Sequence, residues 1–325
     1  MTRLKSTALA CAMLALSAPL YAQSSVTIYG RMDLGLVHQT DGMTPINAGN
    51  GRVGPAGKGT TVGQGSAARL GFRGTEDLGG GLSANFLMEH RFDGSTGAPA
   101  VPFWQARSFL ELASKNWGAI YAGREYIPAF WPALRLDPWG FDTVGTPGPK
   151  HQLANYGVPV SGIRSNGTVG YKTPVFAGVS GILAWSAEPL VRSNSVGGNI
   201  TYAQGPVYLA AAFDRVDTAN KLALIGGSYD FGIVRVGLTY AEATVASKDN
   251  KNVSLTGRIP VGANLLKVAV SRLDLDGPDN TNTRLGLGYE HFLSKRTSLL
   301  ANIGRAKQGS LSATTLLDFT IKHNF

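Results

Sequence analysis

Apolar and polar residues alternate one for one along most of this chain. Val26, Ile28, Gly30, Met32, Leu34 and Leu36 are separated by Thr27, Tyr29, Arg31, Asp33 and Gly35, and a period of two sustained this long is strand periodicity. The pattern returns at Ala68, Leu70 and Phe72 against Arg69, Gly71 and Arg73. It returns again at Leu82, Ala84, Phe86 and Met88 against Ser83, Asn85, Glu89 and Arg91, and at Val234, Val236, Leu238 and Tyr240 against Arg235, Gly237 and Thr239. The last stretch, TTLLDFTIKHNF, places Leu317, Phe319, Ile321, His323 and Phe325 on one face and Asp318, Thr320, Lys322 and Asn324 on the other. Each strand predicted this way has one apolar and one polar face.

The connections alternate as well. Tight ones, rich in Gly, Pro, Asn and Asp, fall near 77–81, 114–117, 174–178, 205–206, 230–232, 260–263 and 294–296; longer polar ones fall at 39–65, 94–102, 125–162, 188–196, 214–220, 243–250, 274–282 and 307–313. Seven short turns and eight longer connections divide the chain into sixteen strands. An even-numbered antiparallel meander with short turns at one end and long ones at the other is the layout of an all-β, sixteen-stranded antiparallel transmembrane β-barrel. Hydrocarbon cannot hydrogen-bond a free sheet edge, so a sheet in a bilayer must close on itself. A soluble sandwich would bury its apolar face against a second sheet and manage with shorter strands.

The first residues add a compartment. Met1 to Lys5 carries two positive charges, Ala8 to Ala18 is apolar, and Pro19 to Ala22 ends on a small residue, which is the pattern of a secretory signal peptide over 1–22. The remainder, 23–325, reads as one barrel domain without a linker. Cys11, the only cysteine, lies in the apolar stretch, so the exported chain is expected to hold together without disulfides. Beyond 22 there are 28 Lys and Arg against 21 Asp and Glu, a net +7; in an exported protein this excess suits an anionic membrane surface or anionic solutes better than nucleic acid. No apolar run there approaches the ~20 residues that a spanning helix needs.

Several segments match a known family. SSVTIYGRMDLGL at 24–36, ARLGFRGTEDLGGGLSANFLME at 68–89, QARSFLELASKNWGAIYAGRE at 105–125, VGYKTPVFAGVSG at 169–181 and the final IKHNF resemble the general porins of β- and γ-proteobacterial outer membranes, with Gly71 to Gly79 as the most specific run. The resemblance implies a homotrimer of sixteen-stranded barrels in the outer membrane, each a water-filled channel for passive diffusion of small hydrophilic solutes, narrowed by a long third loop folded into the lumen. It implies no cofactor. Arg31, where the family usually has an apolar or small residue, and the long glycine-rich first loop depart from the commonest pattern.

Parity then assigns candidate pore residues. Arg31, Arg69, Arg73, Arg107 and Arg124 fall on the polar register of the first five strands and are expected to face the lumen together, since a charge on the lipid side costs ~2 to 4 kcal/mol near the midplane. The connection from Glu125 to Gly162 holds six of the sixteen prolines together with Phe130, Trp131, Trp139 and Phe141. Such a restricted, aromatic segment is expected to pack on the interior wall as the constriction. Arg164 follows it, and by resemblance Arg69, Arg107 and Arg164 match the pore arginines of anion-selective members. Asp137 and Asp142 on the loop are expected to face this basic wall, giving a transverse field and a modest anion preference. Alternatively the arginines pair with Asp33, Glu76, Glu89 and Glu111 and leave no net field.

Arg272 and Arg305 fall on the apolar register near long connections. They are expected either to reach the headgroup region and lipopolysaccharide phosphates or to mark a register shift. Phe325 is expected at the periplasmic aromatic girdle, and by resemblance it serves as the signal read by the barrel-assembly machinery.

An enzyme in the same barrel would need a nucleophile, base and acid, or a metal. The histidines at 38, 90, 151, 291 and 323 are scattered, and no Gly-x-Ser-x-Gly occurs. Gly49 to Gly54 spells a dinucleotide fingerprint, but Pro55 follows where a helix should begin. Neither catalysis nor a metal is expected. The remaining rivals are an adhesin or receptor barrel using Arg52 and Lys58 of the first loop, and a barrel-embedded hydrolase.

Overall fold

The alternation becomes sixteen antiparallel strands closed into a barrel. The computed structural model describes residues 25–40, 47–48, 51–52, 58–154, 163–187, 194–278 and 280–325; the expected leader at 1–22 and most of the first connection lie outside these. The strands are β1 (Ser25–Gln39), β2 in two pieces (Gly59–Gln64 and Ala68–Gly79), β3 (Leu82–Phe92), β4 (Arg107–Ser114), β5 (Gly118–Tyr126), β6 (Arg164–Lys172), β7 (Val179–Ser186) and β8 (Ser195–Gln204). They continue with β9 (Val207–Arg215), β10 (Lys221–Asp230), β11 (Arg235–Val245), β12 (Lys248–Val261), β13 (Asn264–Asp274), β14 (Thr281–Phe292), β15 (Thr297–Gln308) and β16 (Thr314–Asn324). Two short helices, α1 (Phe130–Leu136) and α2 (Gly148–Gln152), lie between β5 and β6. No described helix is long and apolar enough to cross a membrane.

Each strand pairs with the next, and β1 pairs with β16 from Arg31↔Asn324 to Gln39↔Leu316, which closes the sheet. The polarity is inverted relative to a soluble protein. Large apolar side chains such as Ile28, Leu110, Leu183, Leu238, Leu285 and Phe319 are exposed, whereas Asp33, Glu89, Asn252, Lys267, Asn302 and Asp318 are buried. Period two makes both faces inevitable: lipid takes one and the barrel interior the other.

One connection is shorter than its composition suggests. The polar run at 243–250 reads as a loop, yet β11 and β12 extend through it and meet at Ala246 and Ser247, both left-handed (φ 50° and 65°). A two-residue hairpin whose central residues both have positive φ is the tight turn that matches strand twist; the polar residues around it belong to strand ends. Arg272 and Arg305 keep the exposed register without any shift in β12 to β16, so no bulge accounts for them.

The seam has a specific device. Gly30 and Phe325 exchange two backbone hydrogen bonds, 3.0 and 3.1 Å, and the Phe325 ring lies over Gly30, where an added Cβ would fall 2.3 Å from the ring and 2.6 Å from the Arg69 carbonyl. Gly30→Ala is therefore expected to cost about 1–3 kcal/mol by overpacking, read as a lower denaturant midpoint for barrel unfolding on electrophoresis. An unchanged midpoint would refute the seam packing.

Candidate functional site

Three arginines stand in one row on adjacent strands. Arg31 of β1 is the direct partner of Arg69 of β2, and Arg69 of Arg91 of β3. Like charges directly opposed are destabilising, and two carboxylates offset them. Asp142, on the segment between β5 and β6, accepts from Arg31 Nη1 at 2.8 Å and sits 3.5 Å from Arg69 Nη2. Glu89 takes Arg91 Nη2 at 3.0 Å and the Tyr29 hydroxyl at 3.0 Å.

Arg107 and Arg164 complete the wall of a cavity of about 320 Å³. Arg107 forks onto both oxygens of buried Glu125, Nε to Oε1 at 2.8 Å, with its guanidinium over Phe109 and Trp131, 5.0 and 5.1 Å from the ring centroids. Arg164 is 1% exposed. It donates from Nη2 to the Tyr126 hydroxyl at 2.6 Å and lies 4.3 Å from that ring's centroid, while its Nε and Nη1 have no hydrogen-bond partner among the described residues. Five arginines thus face three carboxylates, a net +2 at the cavity.

The opposite wall of the cavity is the segment between β5 and β6, whose aromatics Phe130, Trp131, Trp139 and Phe141 line it. This segment is tied to the buried register of distant strands. Trp139 Nε1 donates to Asn302 Oδ1 at 2.8 Å, the Val144 amide to Asp318 Oδ2 at 3.0 Å, and Thr256 Oγ1 to the Leu136 carbonyl at 3.0 Å. Arg284 Nη1 donates to the Pro147 carbonyl at 3.0 Å. Beneath, Phe130, Phe141 and Leu153 pack with Leu222 and Leu224 of β10 and Leu273 of β13, apolar side chains on an otherwise polar register. Gly286 and Gly304 let the backbone come down: a Cβ there would lie 1.8 Å from the Gly145 carbonyl oxygen and 2.0 Å from that of Val144.

The candidate residues separate accordingly. Arg31, Arg69, Arg107, Arg164 and Asp142 come together, whereas three do not join them. Arg73 has the parity of Arg69 but is exposed and lies further along β2, over the Tyr29 ring at 5.3 Å, lining another cavity with Glu111. Arg124 is a correction: along β5 it shares the exposed register of Ile120 and Ala122, and it pairs with Ser108, on the face of exposed Leu110 and Leu112. It binds the Gln105 carbonyl at 2.7 Å. Asp137 is a second correction, because it is consumed inside its own segment, accepting from the Trp139 amide at 2.8 Å and Thr146 Oγ1 at 2.5 Å. Two participants escaped sequence reasoning although parity signalled both: Arg91, and Glu125, which shares the buried register of Ala119 and Tyr121.

The alternative pairing scheme fails for three of its four carboxylates. Glu89 binds Arg91, but Asp33 is held by Ser66 and Glu111 by Asn85 and Lys172; Glu76 forms no ion pair among the described residues.

The sequence profile described as Gram-negative porin matches residues 6–310, nearly the whole chain. The chain belongs to this porin family. Outer membrane porin protein 32 of Delftia acidovorans is 30% identical over 96% of this chain and 92% of its own length. An outer membrane porin protein of Bordetella pertussis is 26% identical over 99% of this chain and 100% of its own length. Among solved structures, an anion-selective porin from Comamonas acidovorans superposes with a TM-score of 0.78 at 24% identity, covering 93% of this chain and all of that one; this likeness concerns the fold. The protein is an outer-membrane porin, and its closed barrel forms the channel.

One group of this porin carries a pH prediction. His151 of α2 is 1% exposed, with Nδ1 2.8 Å from Ser271 Oγ and Nε2 3.2 Å from Asn282 Oδ1, a pattern that suits a neutral imidazole protonated on Nε2. Burial first, then Arg284 and Lys150, hold its pKa well below the ordinary 6.5. The unfolded chain therefore binds a proton that the folded one refuses. Stability is expected to be level above pH 6.5 and to fall by up to about 1.4 kcal/mol per pH unit below it. His151→Gln should flatten that acid limb; an identical limb in the variant would exclude His151 as its source.

Proposed function

We propose that this porin prefers anions, and that the segment between β5 and β6 sits within the lumen as its constriction. The observation that supports this reading is the imbalance at the cavity: Arg31 and Arg69 share one carboxylate, and Arg164 has none among the described residues. A permeating anion meets guanidinium groups along one wall and aromatic rings with Asp142 along the other. Fixed charge at close quarters sets the sign of the ion admitted, and a field across the neck orients dipolar solutes as they pass. The solutes are small and hydrophilic, and they cross passively without catalysis.

A relative in the fold is described as anion-selective, and a Vibrio cholerae outer membrane protein of the same fold as a trimer form; by analogy the working unit here is a homotrimer. Purified porin in a planar bilayer with a salt gradient is expected to give a reversal potential on the anion side, with conductance steps in groups of three. Cation selectivity would defeat the reading of the cluster. Single, ungrouped steps would defeat the trimer alone.

A further inference from the structure

We propose that the inner wall at the short-turn end, which is the periplasmic end of such a barrel, carries a second anion site: it takes a condensed phosphate chain, and its occupation closes the pore from that side. Arg235 of β11 is the direct partner of Arg258 of β12, and Arg258 of Lys267 of β13. They share the register of buried Thr239, Thr256 and Ala269 respectively, so three cations face inward on neighbouring strands ~5 Å apart. Like charges directly opposed are destabilising, and only the ends of this row are compensated. Arg235 Nη2 lies 2.7 Å from Asp230 Oδ2, and Lys267 Nζ 2.8 Å from Glu290 Oε2. Glu290 is shared with Lys322, which stands opposite Asp33. Arg258, in the middle, is exposed and forms no ion pair among the described residues.

The row leads to the segment between β5 and β6. Beyond Lys267 it continues through Gly288, Asn302 and Asp318, where Trp139 Nε1 donates to Asn302 and the Val144 amide to Asp318. Thr256, two residues from Arg258 on the same face, donates to the Leu136 carbonyl. Strands in such a barrel tilt by ~35–45°, so a row perpendicular to them climbs from the short turns towards that segment. An anion lying on Arg235 and Arg258 sits beneath it, in the way of any solute entering from the short-turn mouth. Guanidinium forks take phosphate bidentately, and the terminal groups of a triphosphate stand about one strand spacing apart, so one chain bridges both arginines. A single phosphate engages only one of them. The same-face carboxylates of an extended acidic peptide, ~7 Å apart, overshoot the spacing.

The assignment rests on the pore reading, with that segment as the constriction. Full-length porin in a planar bilayer, recorded as single insertions, is exposed to sodium tripolyphosphate in one compartment and then in the other. Conductance is expected to fall on addition to one side only, at concentrations where orthophosphate of the same ionic strength has no effect. R235Q/R258Q should raise the half-blocking concentration on the order of tenfold, whereas R272Q/R305Q, which removes two arginines from the outward register, should leave it as it was. Equal sensitivity from both compartments, equal block by orthophosphate or by an oligoglutamate peptide, or an unchanged half-blocking concentration in R235Q/R258Q would each overturn the proposal. If the double variant fails to fold, R258Q and the salt dependence of wild-type block decide it. Both the substitution and added salt should raise the half-blocking concentration, and block indifferent to either would overturn the site. Absence of any channel in the untreated protein would instead count against the pore reading, so the two failures are distinguishable.

Discussion

Replacing Arg31 and Arg69 together by glutamate is expected to move the reversal potential in a salt gradient from the anion side to the cation side. Five arginines against three carboxylates leave +2 at the cavity; two reversals change this by four, to −2. Both side chains are partly exposed to the cavity, 26% and 19%, so the variant introduces no fully buried charge. It does bring two carboxylates up to Asp142, and since such crowding raises carboxylate pKa values the measurement belongs at neutral pH or above. Asp142→Asn should do the reverse and deepen the anion preference, because it removes the carboxylate that Arg31 and Arg69 share. The pair of variants is diagnostic: a cluster that only stiffens the wall would alter conductance in both without moving the reversal potential in opposite directions. An anion-side potential in the double variant would remove these arginines from selectivity.

Gly286→Val and Gly304→Val are expected to unseat the segment carrying Trp139 and Val144. A β-carbon at either site would fall within 1.8 to 2.0 Å of a carbonyl oxygen of Val144 or Gly145. Real contacts of this kind do not exist, and the partner is backbone, which cannot rotate away. The segment must lift, losing the Trp139 bond to Asn302 and the Val144 bond to Asp318, each a buried pairing worth ~1–3 kcal/mol when broken. The barrel wall has no such conflict and should still close. The expected result is a folded barrel with greater open-channel noise and with new tryptic cleavage after Lys150. Protease resistance equal to wild type, in a barrel of unchanged unfolding midpoint, would show that these glycines do not seat the segment.

The barrel was legible because its cause is local. At Val26 to Leu36 each residue's face follows from its position, and hydrocarbon on one side enforces the alternation strand after strand. Arg31, Arg69 and Arg107 were legible for the same reason: parity alone sends them to the polar face. Arg124 was assigned to the wrong face: counted along β5 it shares the exposed register of Ile120 and Ala122, but two glycines and two alanines among the residues from 118 to 123 leave that strand with little contrast between its faces. Asp137 failed differently: its position on the segment was plain, but a short acidic side chain beside prolines and backbone amides satisfies its own turn before it reaches a wall. A usable clue to the seat did exist. Leu222-Ala-Leu-Ile225 is apolar on both registers, which a strand between lipid and water has no reason to be; Leu222 and Leu224 are the floor under Phe130 and Leu153.

By itself, then, the sequence determined the number of strands, which face of each meets lipid, and which end carries the long connections, because these depend only on alternation and turn chemistry. The tertiary structure alone decided which arginine meets which carboxylate, that Arg164 meets the phenol and ring face of Tyr126, and which distant strands the segment after β5 bonds to. Those outcomes join residues up to 174 positions apart, as between Val144 and Asp318, and depend on closure of the barrel bringing β1 to β6 opposite β10 to β16. No local pattern encodes a contact between elements that only closure brings together.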